Sequence, residues 1–182
     1  KMHQEFPTKT LCKPPARRYN RRRLLTKTGE YLVTSAEVDK NARLKVCLCC
    51  SHGGHLTEML QLLEAFDGHD VFYFCYDADT TRRLDHAYLI PNMCKNPIEF
   101  LKNLVRLSKI YWKERPDLIV STGAEIAIPA VLVGKLFGAK SVYIECGAQV
   151  THPSITGRVM YWMADHLFVQ WRELLQAYGP RA

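Results

Sequence analysis

What this 182-residue sequence lacks narrows its function before any motif is considered. No apolar run is long. The longest, Ile126 to Gly134, covers nine residues and contains Pro129, about half of the roughly 20 that a membrane-spanning helix needs. No GxGxxG and no GK[ST] occurs, so neither the dinucleotide fingerprint nor a Walker loop is present. Seven cysteines are an odd number, and no two pairs stand at the spacing of a zinc knuckle. Cys47, Cys49 and Cys50 lie in an apolar run, where cysteine behaves as a small hydrophobe, and no metal is expected. The start, Lys1-Met2-His3, lacks a charged-then-apolar secretory signal and reads as the trimmed beginning of a cytoplasmic protein with reduced thiols.

Charge of one sign is also missing from most of the chain. The net charge is +7. Residues 1–45 hold 12 Lys/Arg against 4 Asp/Glu, whereas residues 46–182 hold 13 against 14. The excess is confined to a basic leader over 1–44, which carries Pro7, Pro14, Pro15 and the Arg17 to Arg23 cluster and reads as a solvated arm. A neutral body argues against a nucleic-acid-binding fold, although binding of nucleic acid or anionic lipid through the leader remains an alternative.

From Leu44 onward the pattern is regular. Leu44 to Cys50 is apolar apart from Lys45, as in a strand buried on both faces. Helical spacing follows over His55 to Phe66. Further strands are expected at Val71–Tyr76, His86–Ile90, Asp117–Val120, Lys140–Ile144 and His166–Val169. Helices are expected at Asn96–Arg115, Glu125–Phe137, Pro153–Met163 and from Arg172. Such alternation predicts a Rossmann-like parallel sheet with helices on both faces, over residues 45–182. In that architecture ligands bind at the carboxyl ends of the strands, which directs attention to loops 51–55, 77–83, 121–125 and 145–154.

Ser51-His52-Gly53-Gly54-His55 joins a strand to a helix, where glycines let backbone N–H groups approach a phosphate and the helix dipole favours an anion. His55 can act as acid or base, or contact a phosphate oxygen. Ser121-Thr122-Gly123-Ala124-Glu125 repeats the arrangement, with Glu125 suited to a helix start. Glu145 ends a buried strand, an unusual place for a carboxylate, and is expected to act as a base or to accept sugar hydroxyls. Asp77-Ala78-Asp79 reads as a solvated loop. Lys102, Arg106, Lys109 and Lys113 step along one stripe of a long helix, with Leu101, Leu104, Val105 and Leu107 spread over its other faces. That stripe is either a solvated face or a surface for anionic lipid, with Tyr111-Trp112 near the interface.

Taken in order, three stretches resemble the Alg14 family, including its bacterial members of the PssD type: Lys45 to Leu56, Asp117 to Ala124, and Ser141 to Trp171. The resemblance covers about residues 45–178, with departures at His52, Cys146 and Gln149. It implies a GT-B half-domain that binds a polyprenyl-diphosphate-linked saccharide at a membrane surface, while an Alg13-like or PssE-like subunit carries the nucleotide sugar. It further implies that Ser51, Gly53, Gly54, Thr122 and Gly123 face the acceptor diphosphate. His55 and Glu145 would be the catalytic candidates, Lys102, Arg106, Lys109 and Lys113 would face the membrane, and no cofactor would be needed. A stand-alone Rossmann-type nucleotide-binding enzyme is the other alternative.

Overall fold

The computed structural model describes residues 43–92, 96–179 and 182. The leader assigned to 1–44 lies outside the described residues except for Arg43 and Leu44. Six strands follow in chain order: β1 (Lys45–Cys50), β2 (Asp70–Tyr76), β3 (Ala87–Ile90), β4 (Leu118–Ser121), β5 (Lys140–Ile144) and β6 (His166–Phe168). All pair in parallel, in the order β3-β2-β1-β4-β5-β6. This is the doubly wound order, and its direction reverses between β1 and β4.

The helices are α1 (Gly54–Gln61), α2 (Pro97–Glu114), α3 (Ala127–Leu136), α4 (Ile155–Met163) and α5 (Arg172–Tyr178). Strand alternation sorts the core into two layers. Val46, Leu48 and Cys50 pack with Leu56 and Met59 of α1 on one face. Cys47, Cys49, Ile119 and Tyr143 pack on the other with Leu107 and Tyr111 of α2, Ala130 of α3 and Met160 of α4. Helix α3 lies so close to β4 that a β-carbon on Gly134 would meet Ile119 Cδ1 at 2.0 Å.

Several boundaries differ from the expected ones for local reasons. The first helix ends at Gln61, and Leu63–Phe66 is a tighter 3-10 turn. His86 stands before β3 with φ 52°, outside the strand. Helix α3 begins at Ala127 and not at Glu125, because Gly123 and Ala124 both hold positive φ and turn the chain first. Helix α2 starts as expected, with Asn96 capping the Ile98 N–H and Pro97 at its first position.

Candidate functional site

The sheet's reversal point brings the first two expected loops into contact. After β1 the chain turns at Gly53, whose φ of 78° favours glycine, and enters α1. No side chain caps that helix, and its first turn carries no acidic residue. Its first N–H groups, which have no intrahelical acceptor, therefore leave a positively polarised end. A β-carbon on Gly54 would meet nothing within 4 Å, so this end opens outward.

His55 is half-buried. Its Nδ1 pairs with Ser51 Oγ at 2.8 Å, and Ser51 Oγ also donates to the His52 carbonyl at 3.3 Å. From the neighbouring loop, the buried Thr122 hydroxyl donates to the His55 carbonyl at 2.7 Å. The imidazole lies on Gly123, where a β-carbon would fall 2.5 Å from Cδ2 and 2.6 Å from Nε2. Gly123 (φ 129°) and Ala124 (φ 68°) form a strained turn beside the ring, a conformation that costs an L-residue roughly 1–2 kcal/mol. Ser51, Gly53, Gly54, His55, Thr122 and Gly123 are thus one constellation, although the Thr122 hydroxyl is spent joining the loops. Glu125 is exposed and accepts the Tyr76 hydroxyl at 3.1 Å.

Glu145 belongs to a separate network. Only 1% exposed, its carboxylate accepts the Cys146 N–H (3.1 Å), the Tyr143 hydroxyl (3.4 Å), and the Ser154 N–H and hydroxyl (3.2 and 3.1 Å). It also accepts the Tyr178 hydroxyl. Burial and then the Glu145 contact push the Tyr178 hydroxyl's pKa up, so it stays protonated and donating. Ser154 Oγ in turn accepts the Gly157 N–H at 2.8 Å and caps α4. Gly157 has to be glycine, because a β-carbon there would overlap both the Tyr178 hydroxyl and Glu145 Oε2. None of these bonds reaches the His55 constellation.

The thiols are inert. Cys47 and Cys50 stand three apart, the spacing of a dithiol site, but they point into opposite layers of the core. Burial pushes Cys47 up to about 12 and raises Cys49 as well. Among the described residues no group of three or more His, Cys, Asp or Glu is placed to hold a metal.

Along α2 the structure revises one expectation. Leu107 is buried in the core, whereas Leu101 and Val105 join Ile98 and Trp112 in an exposed apolar stripe, each more than half exposed. The stripe runs beside Lys102, Arg106, Lys109 and Lys113. Two shallow grooves of about 430 and 410 Å³ run along it. Lys102 is tied to Glu99 at 2.6 Å and Lys113 to the Tyr88 hydroxyl at 3.1 Å. No helix among the described residues is long and apolar enough to cross a membrane.

A doubly wound parallel sheet with a glycine turn at its reversal point defines the class: one Rossmann-like half of the GT-B glycosyltransferase fold. The sequence pattern described as "Oligosaccharide biosynthesis protein Alg14 like" matches residues 82–182, and the chain belongs to that family. It is 27% identical to the UDP-N-acetylglucosamine transferase subunit ALG14 of Saccharomyces cerevisiae, over 86% of this chain and 81% of that protein. A 75-residue stretch is 32% identical to a Chlorobium luteolum enzyme named UDP-N-acetylglucosamine–N-acetylmuramyl-(pentapeptide) pyrophosphoryl-undecaprenol N-acetylglucosamine transferase, covering 41% of this chain and 20% of that one. The crystal structure of Acinetobacter baumannii MurG superposes with a TM-score of 0.58 at 19% identity. That match covers 71% of this chain and 42% of the MurG chain, so the present fold spans less than half of it.

Proposed function

We propose that this chain is the acceptor-binding subunit of a two-component transferase that moves N-acetylglucosamine from UDP to a polyprenyl-diphosphate-linked saccharide. The observation that carries this reading is the junction of His55 with Thr122 and Gly123 beside the uncapped end of α1. An anion-favouring helix end and a titratable ring lie together at the sheet's reversal point. The nearest named relatives are N-acetylglucosamine transferases or their subunits, one of them acting on a pyrophosphoryl-polyprenol. A single α/β unit leaves the other side of a GT-B cleft unfilled, which supports a separate donor-binding subunit of the Alg13 or PssE type.

In this reading, backbone N–H groups of Gly53, Gly54 and His55 hold the acceptor diphosphate. The Ser51 hydroxyl proton goes to the His52 carbonyl, leaving its oxygen to accept His55 Nδ1–H. Nε2 then presents a lone pair, which takes the proton of the attacking sugar hydroxyl as the glycosidic bond forms and the nucleotide departs. The second reading for His55, contact with a phosphate oxygen through Nε2–H, needs the opposite tautomer. Thr122 and Gly123 act by seating the ring. Glu145, buried and already accepting five hydrogen bonds, is assigned to holding the 146–154 loop and the start of α4, in place of the base role expected from sequence.

The α2 stripe is assigned to an anionic membrane surface, where the lipid-linked acceptor resides. Exposed Ile98, Leu101, Val105 and Trp112 enter the headgroup boundary, and Lys102, Arg106, Lys109 and Lys113 face the phosphates.

The direct test is titration of farnesyl diphosphate into the isotopically labelled chain. Amide shifts concentrated at Gly53, Gly54, His55 and Gly123 are expected. Shifts confined to other surfaces would overturn the assignment of the cradle.

A further inference from the structure

Glu58 lies one helical turn beyond His55 on α1, with its half-buried carboxylate turned toward the loops that follow β5 and β6. Oε1 accepts the Gly147 N–H at 2.9 Å and the Cys146 thiol at 3.6 Å. Burial raises that thiol's pKa, so it keeps its proton and donates. Oε2 accepts Gln170 Nε2 at 3.4 Å, and the same amide donates to the Glu145 carbonyl at 3.0 Å. Trp171 Nε1 donates to the Gly147 carbonyl at 2.7 Å. Gly147 is therefore bonded at both its N–H and its carbonyl, from α1 on one side and from the segment after β6 on the other. The fit is close: a β-carbon on Gly147 would stand 3.1 Å from Gln170 Oε1 and 3.2 Å from Glu58 Oε1.

Only an ionised carboxylate can accept all three donors at once, because it has two acceptor oxygens and nothing to donate. Glutamine would offer one such oxygen and would set its own NH2 against a donor. An alanine would leave the Gly147 N–H without its partner.

We propose that Glu58 is a positioning residue that locks the 145–149 loop to α1, so that the diphosphate cradle and the loop carrying Glu145 keep one spacing. The proposal rests on the acceptor-binding reading above, but its first readout is independent of transfer. The geometry also explains why Gln170 and Trp171 are polar and aromatic at the end of a buried edge strand: their side-chain N–H groups close the clamp from the far side.

The test compares Glu58→Ala and Glu58→Gln in the full chain, by amide hydrogen exchange and by transfer assay with the donor-binding chain encoded in the same genome. In Glu58→Ala, exchange at Gly147 is expected to quicken by about 10-fold or more while β1 amides at Val46 and Leu48 are unchanged, the pattern of a local opening. Turnover at saturating acceptor is expected to fall by about 10- to 100-fold with the donor KM unchanged, the scale of a misplaced reactant. Glu58→Gln, which retains one acceptor oxygen for Gly147, is expected to recover most of both. Unchanged Gly147 exchange in Glu58→Ala overturns the clamp, and a loosened Gly147 with normal turnover overturns its role in positioning. If the wild-type pair transfers no sugar while Gly147 responds as expected, the clamp stands and the transferase reading fails.

Discussion

The imidazole of His55 rests on the bare α-carbon of Gly123, with no room for a β-carbon between them. The glycine therefore does two things: it accepts a φ of 129° and it leaves space for the ring. Gly123→Ala forces the imidazole off its seat and strains the turn, at a cost of about 1–3 kcal/mol. The expected result is a folded protein with a lowered denaturation midpoint and weakened response at His55 to farnesyl diphosphate, read by urea unfolding and by titration.

His55→Ala separates the two uses of the ring. If Nε2 is the base, turnover falls by about 100-fold or more at saturating acceptor with KM little changed. A raised acceptor KM with turnover preserved would assign the ring to phosphate contact. Steady-state kinetics over a range of acceptor concentrations distinguishes the two.

Acid stability should be governed in part by Glu114, far from the site at the end of α2. Burial opposes its ionisation, but hydrogen bonds from Lys45, Tyr88 and His86 outweigh burial and hold its carboxyl at about 2, below the ordinary 4.5. A depressed folded pKa means that the contribution is present above the unfolded value and is lost as pH falls from about 4.5 toward 2. Glu114→Gln is expected to cost about 1–3 kcal/mol at neutral pH and to flatten that acid limb, measured by urea unfolding across pH.

Vesicle binding should follow the α2 stripe. Each basic residue near an anionic surface is worth about 1 kcal/mol, so replacing Lys102, Arg106, Lys109 and Lys113 by glutamine weakens association with phosphatidylserine vesicles steeply. Trp112→Ala and Val105→Ser weaken it through the apolar part. Co-sedimentation over a salt series checks both, and binding indifferent to salt and to these changes would remove the membrane from the account.

Much of the fold was legible because local pattern and tertiary burial agree. The apolar run of β1, Pro97 behind Asn96, and the strand Lys140–Ile144 all stand where the sequence puts them. The glycine loop was legible for the same reason, since a turn that needs φ of 78° at Gly53 announces itself in composition. Long-range bonding was not. Glu58 reads as one more polar residue on an amphipathic helix, and nothing local shows that it meets Gly147, 89 residues away. Glu145 was noticed for its strand-end position, but its five donors come from residues as distant as Tyr178, and they change its assigned work from proton transfer to support. The exposure of Leu101 and Val105 depends on which side of α2 meets the sheet, which periodicity alone leaves undetermined when apolar residues occupy most of the helix.

Sugar transfer itself tests the central claim most directly. Radiolabelled N-acetylglucosamine transfer from UDP to a polyprenyl-diphosphate-linked saccharide should be measured with this chain alone, with the donor-binding chain alone, and with the two together. Transfer by the pair and by neither component separately is the predicted result. Full turnover by this chain alone would contradict the account, because one α/β unit would then hold donor and acceptor together.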